Sequence, residues 1–176
     1  ISFHEDQIKA INVAISNNIS VITGGPGTGK TTIIKCILSV LKSQGRRILM
    51  LAPTGRAAKR LSESTGEEAK TIHRGLGYDP TKGGMSFIHN ESNKLPYDTI
   101  IIDEVSMVDV TLFNSLLKSL SNDTNVILVG DKNQLPSVSA GNCLADILNS
   151  KVIPFYNLTQ IFRQDEDSLI ILNAHK

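Results

Sequence analysis

Short, wholly apolar runs alternate along this chain with segments in which apolar residues recur every three to four positions. The runs are typical of strands buried on both faces, and the recurring pattern is typical of helices that pack one side on a core. We predict strands at Ile19–Thr23, Ile48–Ala52, Thr99–Ile102, Asn125–Val129 and Val152–Leu158. We predict helices at Glu5–Ser16, Thr31–Lys42, Arg56–Thr65, Val110–Leu120, Asn142–Asn149 and Ser168–His175. Repetition of strand and helix indicates an α/β fold, a parallel sheet flanked by helices.

Two of the predicted helices carry an apolar stripe that we expect to face the core. These stripes are Ile8, Ile11 and Ile15 in the first helix and Leu112, Leu116 and Leu120 in the fourth. Residues 75–96 break the alternation, because glycine and proline are frequent there and apolar residues are scattered. Asp79–Gly84 predicts a turn, with Tyr78 and residues 85–88 on either side of it. A small hairpin and a plain surface loop are both compatible with this segment.

The strongest chemical signal is the stretch Gly24–Thr31, which fits the pattern G-x-x-x-x-G-K-[ST]. It lies between a predicted strand and a predicted helix, which is the context that a phosphate-binding P-loop requires. Glycines let the backbone wrap closely around phosphate oxygens, and the helix N-terminus faces the anion. We expect Lys30 to reach the outer phosphates and the Thr31 hydroxyl to ligate Mg²⁺.

Two further predicted strands end in polar residues. Asp103 and Glu104 follow a strand of three isoleucines, and carboxylates at that end of a parallel strand lie beside the P-loop crevice. We expect Asp103 to hold Mg²⁺ and Glu104 to deprotonate the attacking water. The next strand runs into Asp131 and Gln134, where the Gln134 amide can contact the terminal phosphate or its water. Without the other motifs, turn formation would be the favoured explanation of both residues.

Bulk properties narrow the possibilities. The chain has 176 residues, 40% of them hydrophobic and 20% charged, enough for one globular domain with a sizeable core. The net charge of +1 predicts no global basic field, so any nucleic-acid site must be a local patch. Cys36 and Cys143 form no metal-ligand pattern and are expected to be buried thiols in a reducing compartment. With no membrane span or signal peptide in the sequence, we expect a cytoplasmic protein that does not bind membranes.

Several motifs occur in an order that resembles superfamily-one helicases of the RecD-like, 5′-to-3′ class, which includes the exodeoxyribonuclease V alpha subunit. The segments that carry the resemblance are residues 3–7, 24–32, 51–58, 71–74, 103–107, 130–136 and 158–164. The resemblance implies a RecA-like P-loop NTPase, with residues 1–176 as the first motor domain only. A second motor domain, with a further arginine for the ATP site, is expected elsewhere in the same polypeptide.

The resemblance also assigns roles. ATP and Mg²⁺ are the expected cofactors, and Gln7 is expected to read adenine. The expected phosphate-binding residues are Gly25, Pro26, Gly27, Thr28, Gly29, Lys30, Thr31 and Thr32. Lys30, Glu104, Gln134 and Arg163 are the expected catalytic residues, with Arg163 on the terminal phosphate.

Single-stranded DNA is the expected polymeric partner, alongside possible subunits of a nuclease–helicase complex. The expected DNA contacts are Thr54, Gly55, Arg56, Thr71 and His73, whereas Lys59 and Arg60 belong to the same basic helix with weaker support. The resemblance implies that residues 75–96 correspond to the small strand-separating pin of this class. Two alternatives are a nucleotide-regulated ATP- and DNA-binding module without turnover and a P-loop GTPase. The GTPase is disfavoured because Asn93-Lys94-Leu95-Pro96 lacks the acid of a guanine-reading motif.

Overall fold

A computed structural model of the chain describes residues 5–83, 86–134 and 139–159. Six strands form one wholly parallel sheet with the order β3-β2-β4-β5-β1-β6. The strands are β1 (Ile19–Gly24), β2 (Ile48–Ala52), β3 (Ala69–Thr71), β4 (Thr99–Ile102), β5 (Asn125–Gly130) and β6 (Phe155–Leu158). The helices are α1 (Glu5–Ser16), α2 (Lys30–Ser43), α3 (Gly55–Thr65), α4 (Ile72–Leu76), α5 (Val110–Lys118) and α6 (Cys143–Ser150). The predicted α/β fold is confirmed, and the predicted helix at Ser168–His175 lies outside the described residues.

The sheet separates two apolar cores because successive strand residues point to opposite faces. Helices α1, α2 and α3 cover one face, where Ile22, Ile101 and Ile127 meet side chains such as Ile33. Helices α4, α5 and α6 cover the other face. Every residue of β4 is buried, which is why its sequence reads as a continuous apolar run. Within the described part of the chain, no helix is long and apolar enough to cross a membrane.

Of the two predicted apolar stripes, the one on α1 needs correction. Helix α1 buries Gln7, Ala10 and Ala14, whereas Ile8 on the predicted stripe is 46% exposed. The small alanines allow α1 to approach its neighbours closely, so the buried face is rotated from the isoleucine stripe. The predicted stripe on α5 is confirmed, with Leu112 and Leu116 buried and Leu120 packed against the same core.

One cysteine and two strands also differ from expectation. Cys36 is half-buried rather than buried, while Cys143 is buried as expected. Strand β3 was not predicted, since it has three half-buried residues and a lysine at its centre. Strand β6 begins at Phe155 rather than Val152, because Val152 is 81% exposed and Pro154 has no N–H to donate to a ladder.

Residues 75–96 form a bridged loop rather than a regular two-stranded hairpin. Tyr78 and Phe87 form an antiparallel bridge, flanked by hydrogen bonds from the Asp79 N–H to the Ser86 carbonyl (3.0 Å) and from the Ile88 N–H to the Gly77 carbonyl (2.9 Å). A short 3₁₀ turn at Pro80–Lys82 follows Asp79, as the turn-forming sequence predicts.

Candidate functional site

The P-loop connects the end of β1 to the start of α2, and its shape depends on glycine. Gly27 and Gly29 have φ angles of 75° and 82°, in the left-handed region that other residues avoid. A Cβ on Gly24 would lie 2.6 Å from the Thr28 hydroxyl oxygen and 2.9 Å from the Leu158 Cβ. The loop therefore closes only with glycine at these three positions.

Hydrogen bonds within the loop orient Lys30 and Thr28. The Lys30 ammonium donates to the carbonyl oxygens of Gly24 (2.6 Å) and Gly25 (2.9 Å). The Thr28 hydroxyl donates to the Gly25 carbonyl at 2.7 Å. An ammonium has three donors, so Lys30 keeps one for another acceptor. No side chain caps the N-terminus of α2, which leaves its first-turn N–H groups available to an anion.

Most of the predicted nucleotide-binding residues line one cavity of about 260 Å³. The lining residues are Gln7, Gly27, Thr28, Gly29, Lys30, Thr31 and Thr32. Gly25 lies behind this surface, where its carbonyl oxygen accepts from Lys30 and Thr28. Pro26 is exposed in the loop and does not line the cavity.

A second cavity, of about 440 Å³, brings the predicted metal ligands together. Thr31, Asp103 and Glu104 line it, along with Leu61 and three polar residues of α3. Those three residues are Arg60, Glu63 and Ser64. Thr31 lines both cavities, so the carboxylates lie directly beside the phosphate-binding loop.

The two acidic residues at the end of β4 have unusual environments. Burial raises the pKa of Asp103 to about 6, and the negative charge of Glu104 adds to this. The Glu104 N–H donates to Asp103 Oδ1 at 2.9 Å, and the positive charges of Lys30 and Arg60 also act to lower this pKa. Glu104 has a φ of 56°, a strained conformation for a residue with a side chain. Such strain is frequent at functional sites because the surrounding structure must hold it.

The segment after β5 connects to the same site. The Ser106 hydroxyl donates to the Gln134 side-chain oxygen at 3.4 Å, so Gln134 lies next to the residues that follow Glu104. Buried Asp131 forms a turn, in which its side chain accepts from the Asn133 N–H at 2.9 Å and its carbonyl from the Gln134 N–H at 3.1 Å. Turn formation therefore explains Asp131, whereas Gln134 has a contact toward the acidic strand end. Arg163 lies outside the described residues.

The predicted DNA-contacting residues lie at a neighbouring part of the same sheet edge. Ala52 at the end of β2 is paired in register with Thr71 at the end of β3, so the helices that follow these strands begin side by side. Thr54 accepts from the Ala57 N–H at 3.2 Å, and Thr71 accepts from the Arg74 N–H at the same distance. His73 packs with Tyr78 and Phe87, with ring centroids 5.8 Å and 5.9 Å away. Gly55 and Arg56 are exposed in the first turn of α3.

Two features of the site were not predicted from the sequence. Arg60 was grouped with the basic DNA face, but it lines the cavity of Asp103 and Glu104. The Tyr156 hydroxyl donates to Asp6 Oδ1 at 2.8 Å, which ties β6 to the turn of α1 that carries Gln7. No sequence signal joins residues so far apart. Helical spacing from the buried Leu61 would have placed Arg60 beside the core-facing side of α3.

Metal binding by this site would rely on few protein ligands. No group of three or more His, Cys, Asp or Glu side chains that could hold a metal ion occurs among the described residues. Thr31 and Asp103 are still compatible with Mg²⁺, which is usually bound by one or two protein ligands together with substrate phosphates and water.

Comparisons with known proteins identify the family of this chain. A family model described as an AAA domain matches residues 7–140. The ATP-dependent RecD2 DNA helicase of Deinococcus radiodurans is 42% identical over 171 residues, which cover 97% of this chain and 23% of that protein. The RecBCD enzyme subunit RecD of Mycolicibacterium smegmatis is 41% identical over 167 residues, which cover 82% of this chain and 30% of that protein. The chain thus spans less than a third of the length of these two relatives.

Solved structures share the fold. The crystal structure of the Pif1 helicase from Candida albicans has a TM-score of 0.71 and 25% identity, with 97% of this chain and 43% of that chain covered. The structure of Bacteroides Pif1 bound to ssDNA has a TM-score of 0.64 and 23% identity, with 98% and 46% covered. This chain belongs to the AAA domain family, and its similarity to RecD2 and RecD places it among the RecD-like members.

Proposed function

We propose that this chain is the first RecA-like motor domain of an ATP-dependent DNA helicase, in which ATP hydrolysis drives translocation on single-stranded DNA. One observation carries the proposal: Thr31 lines both the phosphate-binding cavity and the cavity that contains Asp103 and Glu104. A phosphate-binding loop without adjacent carboxylates would support binding alone. The two acidic residues at this position favour hydrolysis.

Each P-loop residue has a proposed role that follows from its contacts. The glycine loop and the uncapped α2 N-terminus donate backbone N–H groups to the phosphates. Lys30 donates its remaining N–H to an outer phosphate, since its other two donors fix it to Gly24 and Gly25. Gln7 lines the same cavity and is proposed to contact the base of the nucleotide.

The acidic residues divide the remaining chemistry. The chain fits Mg²⁺ because the Asp103 carboxyl is desolvated, which makes a nearby cation favourable, and because the Thr31 hydroxyl lies in the same cavity. When bound, Mg²⁺ neutralises charge on the phosphates. Glu104 accepts a proton from the attacking water, and Gln134 orients that water or the terminal phosphate. Arg163 is proposed to stabilise charge on the same phosphate.

Single-stranded DNA is the proposed track, by analogy with the DNA helicases that this chain resembles. Thr54, Gly55, Arg56, Thr71 and His73 are the proposed contacts. Supporting this surface, two helices begin side by side at the end of β2 and β3, and Arg56 adds an exposed positive charge. Contacts of this kind bind the backbone without reading sequence.

The longer relatives suggest what the rest of the machine supplies. A second motor domain in the same polypeptide is proposed to complete the ATP site and the DNA track, and a nuclease–helicase assembly is one proposed setting. Residues 75–96 are proposed as a small pin, with Tyr78 and Ile88 as its exposed apolar surface. The alternative, a nucleotide-regulated binding module, differs only in lacking turnover.

Nucleotide titration of Lys30→Ala tests the assignment. Loss of one charge-assisted hydrogen bond should weaken Mg²⁺-ATP binding by about 10- to 100-fold. Lys35→Ala is the matched control, because Lys35 is exposed on the same helix and does not line the cavity. Equal affinities for the Lys30 and Lys35 variants would refute the phosphate role of Lys30.

Turnover in the complete polypeptide separates the proposed motor from the binding module. If the domain is a motor, single-stranded DNA should accelerate ATP hydrolysis. In a competition binding assay, ATP should displace bound nucleotide better than GTP does. Nucleotide binding without any turnover, with and without DNA, would favour the module instead.

A further inference from the structure

Arg60 belongs to a helix that sequence reasoning assigns to DNA, yet its position relates it to the nucleotide. Helix α3 buries Ala57, Ala58 and Leu61 against the core and packs on α2. Arg60 precedes Leu61 and lines the same cavity as Thr31 of α2. Arg56, one turn earlier, does not line this cavity. Of the two arginines of α3, only Arg60 lines this cavity.

The charges around this cavity are mostly negative. Asp103, Glu104 and Glu63 contribute carboxylates, and Arg60 is the one basic residue among the described residues that line it. Glu63 already has a partner, since the Lys59 ammonium lies 3.8 Å from its carboxylate. The Arg60 side chain forms no hydrogen bond or ion pair with another described residue. Its guanidinium is an exposed cation that reaches the electrostatic environment of Asp103.

Lys30 and Arg60 lie on different sides of Thr31. The Lys30 ammonium is fixed to carbonyl oxygens of the P-loop, on the side of the first cavity. The terminal phosphate must extend past Thr31 toward Glu104 if Glu104 is to act on a water beside it. That direction leads into the cavity that Arg60 lines.

We propose that Arg60 binds the terminal phosphate of the nucleotide from α3, as a residue of the ATP site rather than of the DNA surface. This inference rests on the proposed function and adds a contact to it. A planar guanidinium donates two parallel hydrogen bonds to phosphate oxygens, which suits a phosphate held between α2 and α3. Because Thr54 and Arg56 lie at the N-terminus of α3, no more than two turns before Arg60, the same helix would connect the terminal phosphate to the DNA surface.

The test compares nucleotides that differ only in the terminal phosphate, titrated with Mg²⁺ into the complete polypeptide. Arg60→Ala should weaken binding of β,γ-imido ATP by about 10- to 100-fold and change ADP binding by less than about threefold. Arg60→Lys should recover part of the loss, since it keeps the charge without the fork. Lys59→Ala is the matched control, because it removes a neighbouring charge of α3 that does not line the cavity. It should bind both nucleotides as the parent does.

Three results would overturn the inference. One is an equal loss of affinity for both nucleotides in Arg60→Ala and Arg60→Gln variants that unfold at the parent temperature. Another is unchanged nucleotide binding together with weaker binding of a single-stranded oligonucleotide, which would return Arg60 to the DNA surface. The third is unchanged binding of both kinds of ligand. Lys30→Ala in the same titration distinguishes these failures from a failure of the proposed function. If the P-loop binds nucleotide, Lys30→Ala weakens nucleotide binding whether or not Arg60 contacts the terminal phosphate.

Discussion

Two helices of this domain begin at the same edge of the sheet, yet their N-termini are built differently. Helix α2 follows β1 through Gly29, which has a φ of 82° and provides no side chain to the first turn. Helix α3 follows β2 through Thr54, which has an extended backbone and accepts from the Ala57 N–H at 3.2 Å. Both ends have the partial positive charge of a helix N-terminus. They differ in what satisfies their free N–H groups.

That difference indicates which helix end is built for a phosphate. Helices α4, α5 and α6 are also capped by side chains, from Thr71, Asp109 and Asn142. Among the described helices α2–α6, only α2 has no such cap. A capping side chain stabilises the helix by itself, whereas an uncapped end in a glycine loop leaves its donors for a ligand. At the α3 end, the N–H groups of Gly55 and Arg56 are not capped by Thr54 and belong to the proposed DNA surface.

The largest expected effect is on ATP hydrolysis at the N-terminus of α2, where Glu104 and Thr31 line the same cavity. Glu104→Gln keeps the size of the side chain and removes the base, so ATP turnover in the complete polypeptide should fall about 10²- to 10⁴-fold. Nucleotide affinity and single-stranded DNA affinity should each stay within about threefold. Glu63→Gln is the control, since it alters a carboxylate of the same cavity that is paired with Lys59. Retained turnover with lost nucleotide affinity would show that Glu104 binds rather than catalyses.

The pH dependence of unfolding tests whether the charged form of Asp103, beside the N-terminus of α2, lowers the stability of the domain. The folded pKa of Asp103 is about 6, above the usual 3.8, so the stability that this proton provides is complete below about pH 4 and lost as pH rises through 6. In the presence of a chelator, Asp103→Asn should remove that decline and be more stable at pH 7 by up to about 3 kcal/mol. Urea unfolding between pH 4 and 8 measures it.

The control for that experiment is an exposed acid on the loop before β5. Asp123→Asn should follow the parent curve, because Asp123 is solvated. Parallel curves for Asp103→Asn and the parent would mean that Asp103 is as well solvated as Asp123. The cavity beside the N-terminus of α2 would then contain no desolvated carboxyl at Asp103.

A pair of glycine substitutions compares the two helix starts directly. Gly29→Ala places a side chain at a φ of 82° and should lower the free energy of unfolding by about 1–2 kcal/mol. Gly55→Ala meets open space without a positive φ, so it should be neutral or stabilise by up to about 1 kcal/mol. Thermal unfolding of both variants gives the answer. Equal destabilisation would show that glycine is required at both helix starts.

Much of this architecture was predictable because buried parallel strands leave a simple signature. The three isoleucines of β4 and the glycines before Lys30 located the sheet and the P-loop within one or two residues of their observed bounds. The prediction failed where packing between elements decides. Ile8 has helical spacing suited to a core, but close approach of α1 buries the neighbouring alanines instead. Strand β3 is too short and too half-buried to show alternation.

The site shows the same limit. Lys30 and Thr31 were predicted from the P-loop pattern, and Asp103 and Glu104 because strand ends in a parallel sheet meet at one edge. The structure brings Thr31, Asp103 and Glu104 to one cavity. The position of Arg60 in the cavity of Asp103 and Glu104 was not predicted, since a basic residue on a helix gives no sign of which neighbour its side chain meets. The backbone strain at Glu104 is also absent from the sequence, because it depends on the turn that follows β4.

The smallest expected effect concerns the cap that α3 has and α2 lacks. Thr54→Ala removes the acceptor for the Ala57 N–H and should destabilise the domain by about 1 kcal/mol. Thr54→Ser keeps a hydroxyl and should restore most of that stability. Fraying of the first turn should also weaken single-stranded DNA binding by several-fold while nucleotide affinity stays unchanged, because Thr54 lines neither nucleotide cavity. If Thr54→Ala instead weakened nucleotide binding as much as DNA binding, the two helix ends would act as one site, and the division of labour between α2 and α3 would be wrong.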